Sequence, residues 1–269
     1  MRVERLPYEK LPAETRRAIA ARLGEDCPRA ETESGTSSAL ASLFWPSSGP
    51  EMVFVKGLPL DHDRIGELQA EAAVAPFVPA LAPKLLWQEE AGGWLLLCFE
   101  GAHASAWAWF GQDGDHLEPV AAALRELSLL PAPDGVKQTP WNRWGAYCDP
   151  ADKELLTGDR LVHSDPAATN FMVERSGRVW MVDWAWTMRG PAWIDAALWG
   201  FRIVLDGKQS IEDAARWART IPAFAQAPRE GVRALAEAEA RSWEDWREHG
   251  MTELEETITA ARSWAAHWR

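Results

Sequence analysis

LVHSDPAATNFMVERSGRVWMVDWAW, residues 161–186, is the stretch on which the reading of this chain turns. His163, Asp165 and Asn170 follow the spacing H-x-D-x4-N, and Asp183 comes thirteen residues after the asparagine. Between them, two apolar runs, Phe171-Met172-Val173 and Val179-Trp180-Met181-Val182, flank Ser176-Gly177. That pattern predicts a β-hairpin with Asp183 at the exit of its second strand. Asp and Asn also serve as ordinary turn formers. The whole chain holds six histidines and two asparagines, however, so one of each in this register, followed by a strand-end aspartate, points to chemistry.

Transfer of a phosphoryl group from a nucleotide asks for little covalent chemistry from a protein. It needs a carboxylate at the acceptor hydroxyl and oxygen ligands for the metal that bridges the phosphates. Asp165, Asn170 and Asp183 supply all three. The stretch resembles the catalytic and metal-binding loops of the aminoglycoside phosphotransferase and choline kinase relatives of protein kinases, where H-G-D-x4-N is followed by I-D-W. Asp183-Trp184 matches their D-W, and Arg189-Gly190-Pro191-Ala192-Trp193-Ile194-Asp195 looks like their G-x-P-x-x-D segment. The resemblance implies Asp165 as catalytic base, Asn170 and Asp183 as magnesium ligands, and Asp195 as an anchor of the catalytic loop. Two departures stand out: Ser164 replaces the usual glycine, and Pro166-Ala167-Ala168-Thr169 replaces the commoner L-H-P-G.

Upstream, the same resemblance implies a lysine on the third strand and a glutamate on the next helix. Val53-Phe54-Val55-Lys56 is apolar up to the lysine, whose ammonium would reach the α- and β-phosphates. Glu71 is the choice for its partner over Glu67, one turn earlier on the same helix face. Trp94–Gly101 looks like the strand and hinge between lobes, with main-chain groups near Cys98, Phe99 and Glu100 bonding an adenine edge. Ser34-Gly35-Thr36-Ser37-Ser38 takes the place of the phosphate-covering loop, with Gly35 as its one glycine. The resemblance covers roughly residues 30–200. Nucleotide and metal are implied with it: ATP, with GTP as the alternative, and Mg2+.

The rest of the chain is consistent with one large domain or two lobes. PAETRRAIAARLG at 12–24 predicts a short amphipathic helix, and DHDRIGELQAEAAVAPFV, starting at Asp61, a second one ending near Pro76. KLLWQEE, the turn at 91–93 and WLLLCF predict a hairpin, and HLEPVAAALRELSLLP another helix. From Pro191 to Arg269 the pattern is almost wholly helical. The fold class expected is α+β, protein-kinase-like and two-lobed: a small N-terminal lobe with an antiparallel sheet, residues 1–100, and a larger, mostly helical C-terminal lobe, residues 101–269.

Charge and composition narrow the function. The net charge of −12 is spread over both halves, with 10 basic against 15 acidic side chains in residues 1–100 and 18 against 25 beyond. The absence of a basic face argues against nucleic acid as partner. No run approaches the roughly 20 apolar residues of a membrane span, and the N-terminus lacks the pattern of a secretory signal, which implies a cytoplasmic protein. The three cysteines lack paired spacing and read as reduced thiols. Seventeen tryptophans against two tyrosines suggest an aromatic-rich site, although packing accounts for most of them. Relatives of this type phosphorylate aminoglycosides, other antibiotics, choline and sugars, so the acceptor expected is a small-molecule hydroxyl, with a cationic one favoured by the acidic surface. The alternatives are a kinase acting on serine or threonine of a peptide and a catalytically silent nucleotide-binding module.

Overall fold

The computed structural model describes residues 3–32, 37–102 and 105–269. The chain divides into two compact units, Met1–Ala104 together with Val182–Ala185, and Ser105–Met181 together with Trp186–Arg269. A single cut after residue 100 leaves Val182–Ala185 apart from the unit it packs with.

In the first unit, helix α1 (Ala13–Leu23) starts after Pro12 and stops at Gly24, whose φ of 103° no longer suits a helix. Strands β1 (Arg29–Glu31), β2 (Leu40–Phe44) and β3 (Val53–Pro59) follow, then helix α2 (Ile65–Val74) and strands β4 (Leu85–Ala91) and β5 (Trp94–Glu100). Among the described residues they form a five-stranded sheet in the order β1-β2-β3-β5-β4, antiparallel at every step. Strand β5 is buried from Trp94 to Phe99, which is why its sequence is a continuous apolar run instead of an alternating one. The β4–β5 turn is Gly92-Gly93, with φ of 60° and 78°. Positive φ at both central residues is the requirement of a two-residue turn whose twist matches its strands. Helix α2 begins four residues later than Asp61 suggested. Residues 59–64 are spent on turns closed by His62 N–H to Pro59 O and Ile65 N–H to His62 O, and no side chain caps the helix.

The second unit opens with β6 (Ser105–Trp107), helix α3 (Leu117–Leu127) and the short helix α4 (Pro140–Trp144). Strand β7 (Arg160–Val162) leads into the loop 163–170, and the hairpin β8 (Phe171–Glu174) and β9 (Val179–Met181) follows, turning at Gly177 with φ of 85°. Strand β6 pairs with β8, and β7 pairs antiparallel with β10 (Met188–Gly190). The remainder is helical: α5 (Ile194–Leu205), α6 (Ile211–Arg219), α7 (Pro222–Ala225), α8 (Arg229–Glu248) and α9 (Glu255–Trp268). Helix α5 is buried on nearly every side and touches α6, α8 and α9, as a helix that is apolar all round must be. At Gly200 on α5, the ring of Trp264 from α9 occupies the space a Cβ would need. This central helix fixes the loop 163–170, because it carries two of the side chains that grip it.

Candidate active site

Lys56 lies on β3 with 6% of its surface exposed. The strand pattern Val-Phe-Val-Lys puts it on a buried face, where an unpaired ammonium would cost several kcal/mol. It is paired: its Nζ forms an ion pair with Glu71 of α2, and the Asp183 carboxylate stands 3.9 Å from the same nitrogen. Burial would push the Lys56 ammonium toward neutrality, but the charges of Glu71 and Asp183 outweigh it and hold its pKa above the ordinary lysine value. Glu67 has a different partner. It accepts from Arg64 at 2.8 and 2.6 Å and takes no part in the Lys56 cluster. Asp183 adopts a left-handed backbone, φ 63°, which aspartate tolerates better than most residues. The hydroxyl of Ser37 lies 3.5 Å from both of its carboxylate oxygens.

The hinge residues fall inside the sheet. Cys98 pairs with Val55 on one side and Trp87 on the other, and Phe99 with Phe54 and Leu85. The Glu100 N–H donates to Lys84 O at 2.9 Å. Glu100 ends the ladder opposite Val53, and the Gly101 N–H that follows donates to Met52 O at 3.0 Å. Gly35 lies outside the described residues.

In the second unit, the loop 163–170 is held at every chemically important point. Asp195, at the start of α5, accepts the N–H of His163 at 2.9 Å and of Ser164 at 2.7 Å. Burial raises the Asp195 pKa, and the two N–H donors offset part of that rise. Ser164 sits at φ 70°, the left-handed region where glycine is at home. Its hydroxyl donates to Trp186 O at 2.7 Å, and Arg143 of α4 donates to its carbonyl at 2.9 Å. These bonds hold a serine in the conformation that the glycine of the resembling family would adopt freely.

Asp165 follows directly. Arg202, from α5, donates to its Oδ1 at 2.8 Å, and the Asn170 amide donates to its Oδ2 at 3.0 Å and to its main-chain carbonyl at 2.9 Å. Burial works to raise the Asp165 pKa, but the guanidinium charges of Arg202 and Arg143 prevail and hold it below the usual aspartate value. The group is an ionised, oriented carboxylate, as a base at a hydroxyl must be. The Asn170 side-chain nitrogen is turned to Asp165, while its main-chain N–H donates to Ala167 O at 2.9 Å, so the amide oxygen is the atom of this side chain that could take a cation. Among the described residues no group of three or more His, Cys, Asp or Glu could hold a metal alone.

Arg143, Arg202 and Glu239 carry much of this geometry and were not singled out from the sequence. Glu239 of α8, buried, accepts from the indole nitrogens of Trp144 at 2.6 Å and Trp243 at 2.9 Å and lies 4.0 Å from Arg143. A signal for Arg202 did exist: it stands seven residues after Asp195, two helical turns on, and so on the same face of α5.

The fold is the kinase-like, two-lobed one. No family model matches the chain, and no curated protein does. Among solved structures, the choline kinase LicA from Streptococcus pneumoniae is similar over 94% of this chain and 98% of its own, with TM-score 0.62 and 12% identity. A thermostable mutant of the aminoglycoside phosphotransferase APH(4)-Ia is similar over 94% of this chain and 98% of its own, with TM-score 0.59 and 16% identity. A choline/ethanolamine kinase family protein from Mesorhizobium loti is similar over 94% and 90%, with TM-score 0.55 and 17% identity. LicA has been crystallised with AMP, and the APH(4)-Ia mutant with ADP and hygromycin B.

Proposed function

We propose that this protein is an ATP-dependent phosphotransferase that moves the γ-phosphate to a hydroxyl group of a small molecule. The observation that carries this reading is the Asp165 loop. An ionised carboxylate is fixed by Arg202 and Asn170, on a backbone that Asp195 holds by two N–H donors. Such a carboxylate orients an acceptor hydroxyl and takes its proton as the oxygen attacks phosphorus. The new bond joins the acceptor oxygen to the γ-phosphorus, the bond from that phosphorus to the β,γ-bridging oxygen breaks, and ADP leaves.

Lys56 is the phosphate ligand in this reading. Its ammonium is kept charged by Glu71 and Asp183, so a phosphate oxygen meets a full positive charge. Asn170 and Asp183 would hold magnesium, which neutralises charge on the phosphates when bound. The purine edge would be bonded by main-chain groups near Cys98 to Glu100, at the end of β5. That solved structures of similar fold hold AMP or ADP supports nucleotide binding, and the hygromycin B in one of them supports a small-molecule acceptor. Among the described residues no helix is long and apolar enough to cross a membrane.

The test is Asp165→Ala. Magnesium-dependent ATP binding, measured by calorimetry, persists in this variant, while transfer of labelled γ-phosphate falls by at least about a hundredfold. Near-normal transfer would remove Asp165 from the role of base.

A further inference from the structure

We infer that Arg5 is a positioning residue for the nucleotide's outer phosphates: from the N-terminal segment it grips Ser38 and so fixes Ser37 where its hydroxyl meets a phosphate oxygen beside Asp183. This rests on the phosphotransferase reading and adds to it a residue far outside the stretch 161–186. All the residues involved belong to the first unit.

Residues 3–11 form no strand, and only Tyr8–Lys10 make a turn of 3-10 helix. The segment is nevertheless closely placed. Val3 and Leu11 are buried in the core of the unit, Leu6 and Tyr8 pack against it, and the Leu6 N–H donates to Ala39 O at 2.9 Å. With anchors on both sides, the half-buried Arg5 reaches the preceding carbonyl, its Nη1 donating to Ser38 O at 2.8 Å. Two successive carbonyls just before β2 are thus held by the N-terminal segment, while the Ala39 N–H donates to Gly57 O of β3 at 3.1 Å. Gripped from both sides, this backbone sets where Ser37 stands.

What Ser37 faces is the group of side chains assigned to the phosphates and metal. Its hydroxyl lies 3.5 Å from both carboxylate oxygens of Asp183, and Asp183 is 3.9 Å from the Lys56 ammonium. A hydroxyl at that distance from two acceptors is at the outer limit of a hydrogen bond and is bound firmly to neither. A phosphate oxygen, closer and charged, is the better acceptor. Arg5 also acts on this group through space. Burial is the larger influence against the charged form of Lys56 and the Arg5 guanidinium adds to it, while Glu71 and Asp183 oppose both. Two cations within reach of one another are each stabilised when a phosphate anion settles beside them. A mere brace of the sheet would weaken every nucleotide alike on removal; positioning through Ser37 weakens only those that carry the outer phosphates.

Calorimetry on the full chain compares Mg-ATP with AMP, which lacks the phosphates that magnesium bridges, for the unaltered protein, Arg5→Gln, Ser37→Ala and the double variant. Loss of one hydrogen bond to a charged oxygen should raise the Kd for ATP about tenfold in each single variant, with AMP unchanged within about twofold. The double variant should lose no more than either single one, because the arginine acts through the serine. Arg5→Lys, which keeps a charged donor for Ser38 O, should weaken ATP by only about threefold. Equal weakening of ATP and AMP, additive losses in the double variant, or unchanged ATP binding in Arg5→Gln overturns the inference and leaves the phosphotransferase reading standing. Should urea unfolding show Arg5→Gln to be unfolded, Ser37→Ala and Arg5→Lys decide: loss confined to ATP in both supports the inference, and loss of ATP and AMP alike, or of neither, overturns it. An unaltered protein that binds no Mg-ATP overturns both.

Discussion

Ser164 concentrates the local energetics of the loop. A side chain at φ 70° costs roughly 1 kcal/mol relative to glycine, and each of its two side-chain-assisted contacts, to Trp186 O and from Arg143, returns about that much. Removing the hydroxyl while keeping the Cβ exposes the cost. Ser164→Ala should destabilise the protein by about 1–2 kcal/mol, whereas Ser164→Gly loses the same bonds but relieves the backbone and should fall between the two. Urea unfolding of the three proteins tests the order serine, glycine, alanine. A glycine variant less stable than the alanine one would mean that the left-handed conformation carries no strain. At this scale the sequence was informative where the candidate residues lie close together along the chain. His163, Asp165, Asn170 and Asp183 were visible in their spacing, while Arg202 and Arg143 were not, because they reach Asp165 and Ser164 from 37 and 21 residues away.

Between elements, the tie of β3 to α2 is the clearest case of one side chain mattering and its neighbour not. Glu71 is buried against Lys56, and Glu67, one turn earlier, is held by Arg64 near the surface. Breaking a buried pair leaves an uncompensated charge, so Glu71→Ala should cost about 3 kcal/mol, somewhat softened by Asp183. Glu67→Ala should stay within about 0.5 kcal/mol. Chemical denaturation separates the two; equal effects would show that the Lys56 ammonium does not depend on Glu71. Elements that the sequence announced share a cause. The β4–β5 hairpin, α1 and α3 have caps, turns or periodicity long enough to read. Strands β6, β7 and β10 are three residues each, too short for any period, and exist because partners in the fold pair with them. Helix α4 did carry a local sign that was passed over, Thr139 and Asn142 capping each other around Pro140.

For the whole molecule, the thiols offer a probe of integrity. Burial pushes Cys98 up to about 12 and Cys148 up to about 11. The thiolate is the reactive form, and its fraction falls with each unit by which the pKa exceeds the solution pH. At pH 8, iodoacetamide should therefore modify both residues at least about a hundredfold more slowly in the native protein than in denaturant. Peptide mass spectrometry of timed samples would show it, and rapid native labelling of Cys98 would mean that β5 opens readily. The overall fold was legible from the order of strands and helices. The division of the chain was less so, because Val182–Ala185 joins the first unit after an excursion of nearly eighty residues through the second. That detour has a consequence during synthesis. The N-terminal unit remains short of Asp183, one of the two carboxylates around its buried lysine, until the ribosome has passed residue 185. A truncated product ending near residue 104 should therefore emerge with Lys56 half-matched, and chaperones would meet it before the rest of the polypeptide arrives.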